Sequence, residues 1–206
     1  MLKKYLEKIK FTGRQIEIME LASQIIDRDG IQELTTKNLA GEIGLSEAAL
    51  YRHFKSKNEI LLGLLDYFML EMKERIAKIT INKGRTPSEL LKDIFTSQLK
   101  TFAKKPAIVS VIFSEGIFQF NKELMEKVSG MMKMMQTEID AIVTRGQQEG
   151  SFRDFAGPAT MSTIIMGSMR LAVMKWKLFG RRSDLVKEGN KVLTGVLKMI
   201  EKTNLN

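Results

Sequence analysis

Five side chains able to donate hydrogen bonds to an anion fall within seven residues: Tyr51, Arg52, His53, Lys55 and Lys57, in the stretch LSEAALYRHFKSK at 45–57. Ser46, Glu47 and Ala48 stand just before them. Such donors suit phosphate oxygens, and small residues at a helix start allow close approach to base edges in a groove about 12 Å wide. The chemistry is recognition rather than bond-making. His53 is the single histidine and there is no cysteine, so the convergent partners that a metal or acid–base centre needs are missing by type. There is no glycine-rich phosphate loop, and no cofactor and no metal are expected. The enzymatic alternative that stays open is a carboxylate site using Glu115, Glu123 or Glu138.

A helix from Glu47 to about His53 is too short to stand alone, since isolated helices under about 12–15 residues are marginal in water. Neighbouring elements must brace it. The preceding stretch, TTKNLAGEIGLS at 35–46, supplies a helix over 36–43 with Leu39 and Ile43 on one face. Ala40 is small where another helix crosses. Gly44 can take the positive φ of a sharp turn, and Ser46 can cap the next helix. Leu45, Leu50 and Phe54 then pack back on an earlier helix through Ile16, Met19, Ala22 and Ile26. Two short helices joined by a turn of about 3–4 residues form a helix-turn-helix.

The rest of the chain is also helical. Thr12-x-x-Gln15, Ser56-x-x-Glu59 and Thr86-x-x-Glu89 fit the capping box. Pro87, Pro106 and Pro158 suit first helical positions, and Gly30 and Gly180 suit helix ends. The pattern predicts helices over 13–28, 36–43, 46–53, 56–80, 87–104, 106–118, 122–148, 158–179 and 184–202. The fold class is all-α: a helix-turn-helix head over 1–55 and a helical body over 56–206, joined by helix 56–80.

Residues 12–61 resemble the DNA-binding head of TetR-family transcriptional regulators. The resemblance rests on Gly30, Thr35, Thr36, Leu39, Ala40, Gly44, Leu45, Ser46, Leu50, Tyr51, His53, Phe54, Lys57 and Leu61, with the YxHFxSK ending. It implies a homodimeric regulator, most often a repressor, that reads a palindromic double-stranded DNA operator and releases it when a ligand binds the body. The implied DNA-contacting residues are Thr35, Thr36, Lys37, Ser46, Glu47, Ala48, Tyr51, Arg52, His53, Lys55 and Lys57. Among them Thr36, Tyr51, His53 and Lys57 are assigned to phosphates. Glu47 departs from a cationic face: it repels phosphate unless it accepts from a cytosine amino group or points away.

The head is not globally basic. Residues 1–60 carry ten Lys and Arg against nine Asp and Glu, whereas the whole chain is +9. The cations Lys3, Lys4, Lys8, Lys10 and Arg14 form either an arm reaching DNA or a solvated tail. In the body, nine of 14 methionines lie between Met125 and Met174. With nearby aromatics they form either ordinary core or a cavity for a small apolar or amphipathic ligand such as an acyl chain. The candidate lining is Phe95, Leu99, Phe102, Ile112, Phe113, Phe118, Met131, Met135 and Met166. Two stripes, Ile165, Met169, Val173 and Trp176, and Val192, Val196, Leu197 and Ile200, are either intrachain core or a dimer interface of four-helix type. Gly167, Gly189 and Gly195 reduce bulk beside them. No stretch reaches the roughly 20 apolar residues of a membrane span, and the N-terminus lacks a signal-peptide core, so a cytoplasmic location is expected. The rival within DNA binding is a ligand-independent factor working through a protein partner.

Overall fold

The computed structural model describes residues 11–82, 84–113 and 121–202. Among these residues it has nine helices and no strand: α1 Gly13–Asp29, α2 Thr36–Ile43, α3 Glu47–Tyr51, α4 Lys57–Thr80, α5 Pro87–Lys104, α6 Pro106–Ile112, α7 Lys122–Gln148, α8 Pro158–Leu178 and α9 Leu185–Ile200. The all-α expectation therefore holds. Most ends agree within one or two residues of the predicted spans, and two helices are shorter by a larger share of their length. Helix α3 keeps five residues, and α6 stops at Ile112 with Phe113 already off helical geometry. The remainder of the predicted helix 106–118, from 114 onward, lies outside the described residues, as does the N-terminal arm to Lys10.

Local capping chemistry sets the helix starts. Thr12 and Gln15 form a full capping box, and so do Thr86 and Glu89. At Ser56 the motif is modified. Its hydroxyl accepts from the Glu59 amide at 3.2 Å, while the Glu59 carboxylate takes the Lys55 amide instead of the Ser56 amide. At the α2 end Gly44 is left-handed, with φ 71°. The Leu45 amide donates to the Ala40 carbonyl at 2.9 Å and the Gly44 amide to Gly41 at 3.3 Å. That bond pair closes the helix and lets the chain reverse within one residue.

The chain forms two compact units, Met1–Met72 with Lys105–Gly130, and Lys73–Lys104 with Met131–Asn206. In the first, α1 packs on α2 and α6. Ile18, Met19, Ala22, Ile25 and Ile26 of α1 are buried together with Leu39, Leu50, Phe54 and Leu65. Polar ties add to this core: Lys127 Nζ to Asp66 Oδ1 at 2.5 Å, and Lys105 Nζ to Glu71 Oε2 at 2.6 Å.

In the second unit α5, α8 and α9 pack on one another. Two glycines mark close approaches. A Cβ on Gly189 would meet Leu99 Cδ1 at 2.4 Å, so Gly189 serves the α5–α9 contact inside the chain. A Cβ on Gly146 would meet the Phe152 ring at 2.3 Å, and Phe152 is fully buried. Gly146→Ala is therefore expected to destabilise the protein. Overpacking costs about 1–3 kcal/mol, more than the roughly 0.5–1 kcal/mol that alanine returns in a helix interior. Thermal unfolding of the variant checks this; a melting temperature equal to or above that of the parent chain contradicts it.

Candidate nucleic-acid interface

The five-residue α3 is held by its packing in the head core and by ties from α1 to the segments on either side of it. Leu50 is its one fully buried residue and sits in the head core. Gln15, whose Oε1 closes the α1 cap, donates from Nε2 to the His53 carbonyl at 3.2 Å. The Arg14 guanidinium reaches the Ile43 carbonyl at 3.5 Å. Bracing from α1 thus answers the stability problem that the length of this helix poses.

Outward from this brace, Ser46, Glu47, Ala48, Tyr51, Arg52 and Lys55 are exposed, as are Thr35 and Lys37 at the start of α2. Thr36, His53 and Lys57 are half-buried. The predicted site residues therefore converge on the exposed ends of α2 and α3 and the segment that follows.

Their hydroxyls fall into two kinds. Thr35 Oγ1 accepts from the Asn38 amide at 3.1 Å, and Ser46 Oγ accepts from the Ala49 amide at 3.2 Å. Each uses a lone pair and keeps its proton for a phosphate oxygen. Thr36 Oγ1 instead donates its single proton to Glu47 Oε2 at 2.9 Å.

Lys57 also differs from a free phosphate clamp. Its Nζ donates to the Ile31 carbonyl at 3.0 Å, which fixes the loop between α1 and α2. Burial pushes the ammonium below its usual lysine value, with Glu33 acting weakly the other way. Lys57 also lines a cavity of about 310 Å³ with Ile31, Gln32, Asn58, Leu61, Asn121 and Leu124, all in the first unit. Apart from Lys57 and Leu61, which belong to the head motif, none of these lining residues carries a signal in the sequence. Asn58 and Asn121 are bonded to each other, and Asn58 Nδ2 also reaches Glu123 at 3.0 Å. Such pairings between residues more than sixty positions apart carry no local sequence signal.

The candidate ligand residues divide. Phe95, Leu99, Phe102, Met131 and Met135 are buried and Met166 is half-buried in the second unit, while Ile112 and Phe113 are half-buried in the first. Phe118 lies outside the described residues.

The dimer stripes require correction. Ile165, Met169, Val173, Trp176, Val196, Leu197 and Ile200 are all buried within the chain, leaving only Val192 exposed. Helix α8 is apolar around most of its circumference, so periodicity finds its stripes without telling which one its own chain covers. The exposed stripe is Ile164, Leu171, Met174 and Leu178 on α8, with Val192 and Met199 on α9. Gly167 and Gly195 lie exposed among them, with open space where a Cβ would be.

Two family models cover most of the chain. Residues 18–64 match bacterial regulatory proteins of the tetR family, and residues 65–199 match the C-terminal region of YsiA-like proteins. The chain is a TetR-family transcriptional regulator. It is 25% identical over 180 residues to a fatty acid metabolism regulator protein of Bacillus subtilis, covering 87% of this chain and 92% of that one. It is 26% identical over 167 residues, 81% of each chain, to a nucleoid occlusion factor of Shewanella baltica. A crystal structure of a Bacillus subtilis transcriptional regulator in complex with stearoyl-CoA superposes with a TM-score of 0.74 at 23% identity, covering 88% of this chain and 97% of that one. The TetR fold thus extends over both units of the regulator. Among the described residues no group of three His, Asp or Glu side chains is placed to hold a metal ion, and no helix is long and apolar enough to cross a membrane.

Proposed function

We propose that this TetR-family regulator is a cytoplasmic homodimeric repressor that leaves a palindromic operator when a lipophilic ligand binds its body. The observation that carries the DNA-binding half is the braced α3, which exposes the small Ser46 and Ala48 around Glu47 at its start and aromatic and cationic residues from Tyr51 on. Such a face suits a recognition element in the major groove with phosphate contacts beside it.

The exposed stripe of α8 and α9 supports the dimer. An isologous contact repeats one patch across a twofold axis, and the open glycines Gly167 and Gly195 permit close approach there. Two recognition helices then meet half-sites one helical turn apart, or a multiple of it. The similarity to a fatty acid metabolism regulator, and the stearoyl-CoA bound by a structural neighbour, support an acyl-type ligand. To reverse occupancy from 99:1 to 1:99, that ligand must bind the released state about 10⁴-fold more tightly.

Duplex binding measured across salt concentrations tests the first half. Affinity falls steeply with salt if phosphates are neutralised, and Arg52→Ala is expected to reduce the slope by about one counterion. A salt-independent or undetectable affinity would reject the reading. Adding long-chain acyl-CoA to the complex tests the second half, with release expected. The exposed apolar stripe of α8 and α9 also suits the other reading, a ligand-independent DNA-binding factor that works through a protein partner. It predicts that acyl compounds change neither duplex affinity nor the melting temperature.

A further inference from the structure

Glu47 is the one acidic side chain among the residues assigned to the DNA face, and the structure gives it a fixed place. Its Oε2 accepts the Thr36 hydroxyl proton at 2.9 Å across the turn between α2 and α3. Among the described residues no donor reaches Oε1. The side chain is exposed and borders Ala48, the smallest exposed residue of α3. The carboxylate is therefore held at one oxygen and open at the other, beside the point where the chain can approach base edges most closely.

A carboxylate near a duplex is repelled by phosphates and by every acceptor atom in the major groove. Guanine presents two acceptors there. Thymine presents an acceptor and a methyl group, and adenine places an acceptor next to its amino group. Cytosine presents only the amino donor. We propose that Glu47 is a specificity-determining residue that selects cytosine at one position of each half-site, with Thr36 as its positioning residue. This assignment rests on the DNA-binding reading above and deepens it.

The selection has an attractive and a repulsive part. Oε1 accepts from the cytosine amino group, and the same charge disfavours guanine and thymine at that position. Thr36 contributes through Glu47 rather than through a phosphate, because a hydroxyl has one proton to give and this one is taken. The resemblance to the family assigns Thr36 to the backbone; the geometry points to a role in base choice.

Selection of duplexes from a random pool, run in parallel for the parent chain, Glu47→Gln, Thr36→Val and Thr36→Ser, tests the assignment. The parent chain is expected to enrich a palindrome with cytosine at one symmetric position. Glu47→Gln should move that preference to adenine, whose amino donor and ring acceptor match an amide, with discrimination at that position shifting about tenfold. Thr36→Val should relax the cytosine preference at the same position, and Thr36→Ser should restore it. A parent motif whose composition is unchanged by Glu47→Gln overturns the role of Glu47 and leaves DNA binding intact. A uniform loss of affinity in Thr36→Val, with cytosine still selected, overturns the positioning role and returns Thr36 to phosphate binding. A pool from which the parent chain enriches nothing overturns the DNA-binding reading itself, and this assignment with it.

Discussion

Leu50→Ala is expected to remove specific duplex binding while Leu50→Met preserves it. Leu50 is the only buried residue of α3 and is fully buried. Truncating such a leucine costs about 2–5 kcal/mol, set by how far the site can collapse around the cavity. A five-residue helix has no stability of its own to offset that loss. The polar ties around it, Gln15 to the His53 carbonyl, Thr36 to Glu47 and Arg14 to the Ile43 carbonyl at the end of α2, are part-buried or exposed. The recognition residues thus lose their fixed positions together. Specific sites bind at least about 10³-fold tighter than random sequence in typical regulators, so a loss of that order in operator affinity is expected. Leu50→Met keeps volume and apolarity, for which less than about 1.5 kcal/mol is expected. Paired measurements of duplex affinity and of thermal unfolding check the result. Full affinity in Leu50→Ala would mean that α3 is not the reading element.

The second large effect concerns assembly. Leu171→Glu is expected to convert the regulator to a monomer without unfolding it, because Leu171 is 58% exposed and sits at the centre of the outward stripe of α8. Across a twofold axis the substitution places two carboxylates in one apolar contact, where both are desolvated and the two repel each other. Loss of the second head removes the avidity of a two-site complex, about 10²–10⁴-fold in operator affinity. Sedimentation at micromolar concentration reads the assembly directly. Val173→Ala is the contrasting variant. Val173 is fully buried inside the chain, so it should lower the melting temperature and leave the mass of the assembly unchanged. The opposite pattern, a monomer from Val173→Ala and a dimer from Leu171→Glu, would restore the stripes expected from sequence alone.

The difference between the two stripes shows where sequence reading stops. The head was legible because its signals are local. Thr12 with Gln15, Gly44, and Ser46 before a short apolar run each act within a few residues, through one backbone amide or one left-handed φ. The α8 stripes are not local in that sense. Ile165 and Ile164 are adjacent in sequence and equally apolar, yet one is buried and the other 47% exposed. Only the packing of α5 and α9 on that helix separates them.

Polar partners follow the same division. Lys57 looked like a phosphate ligand because of its place in the YxHFxSK ending, and the fold brings the Ile31 carbonyl, 26 positions away, to its ammonium. Glu47 looked like a charge at odds with its surroundings, and the turn brings Thr36 to it from eleven positions away. The amino-acid sequence by itself determined the helices, their capped starts and the helix-turn-helix, since backbone hydrogen bonding and capping act over a single turn. Tertiary structure alone decided which apolar face is left for a partner and which polar groups of the head remain to meet DNA, since both depend on what the remainder of the chain has already covered.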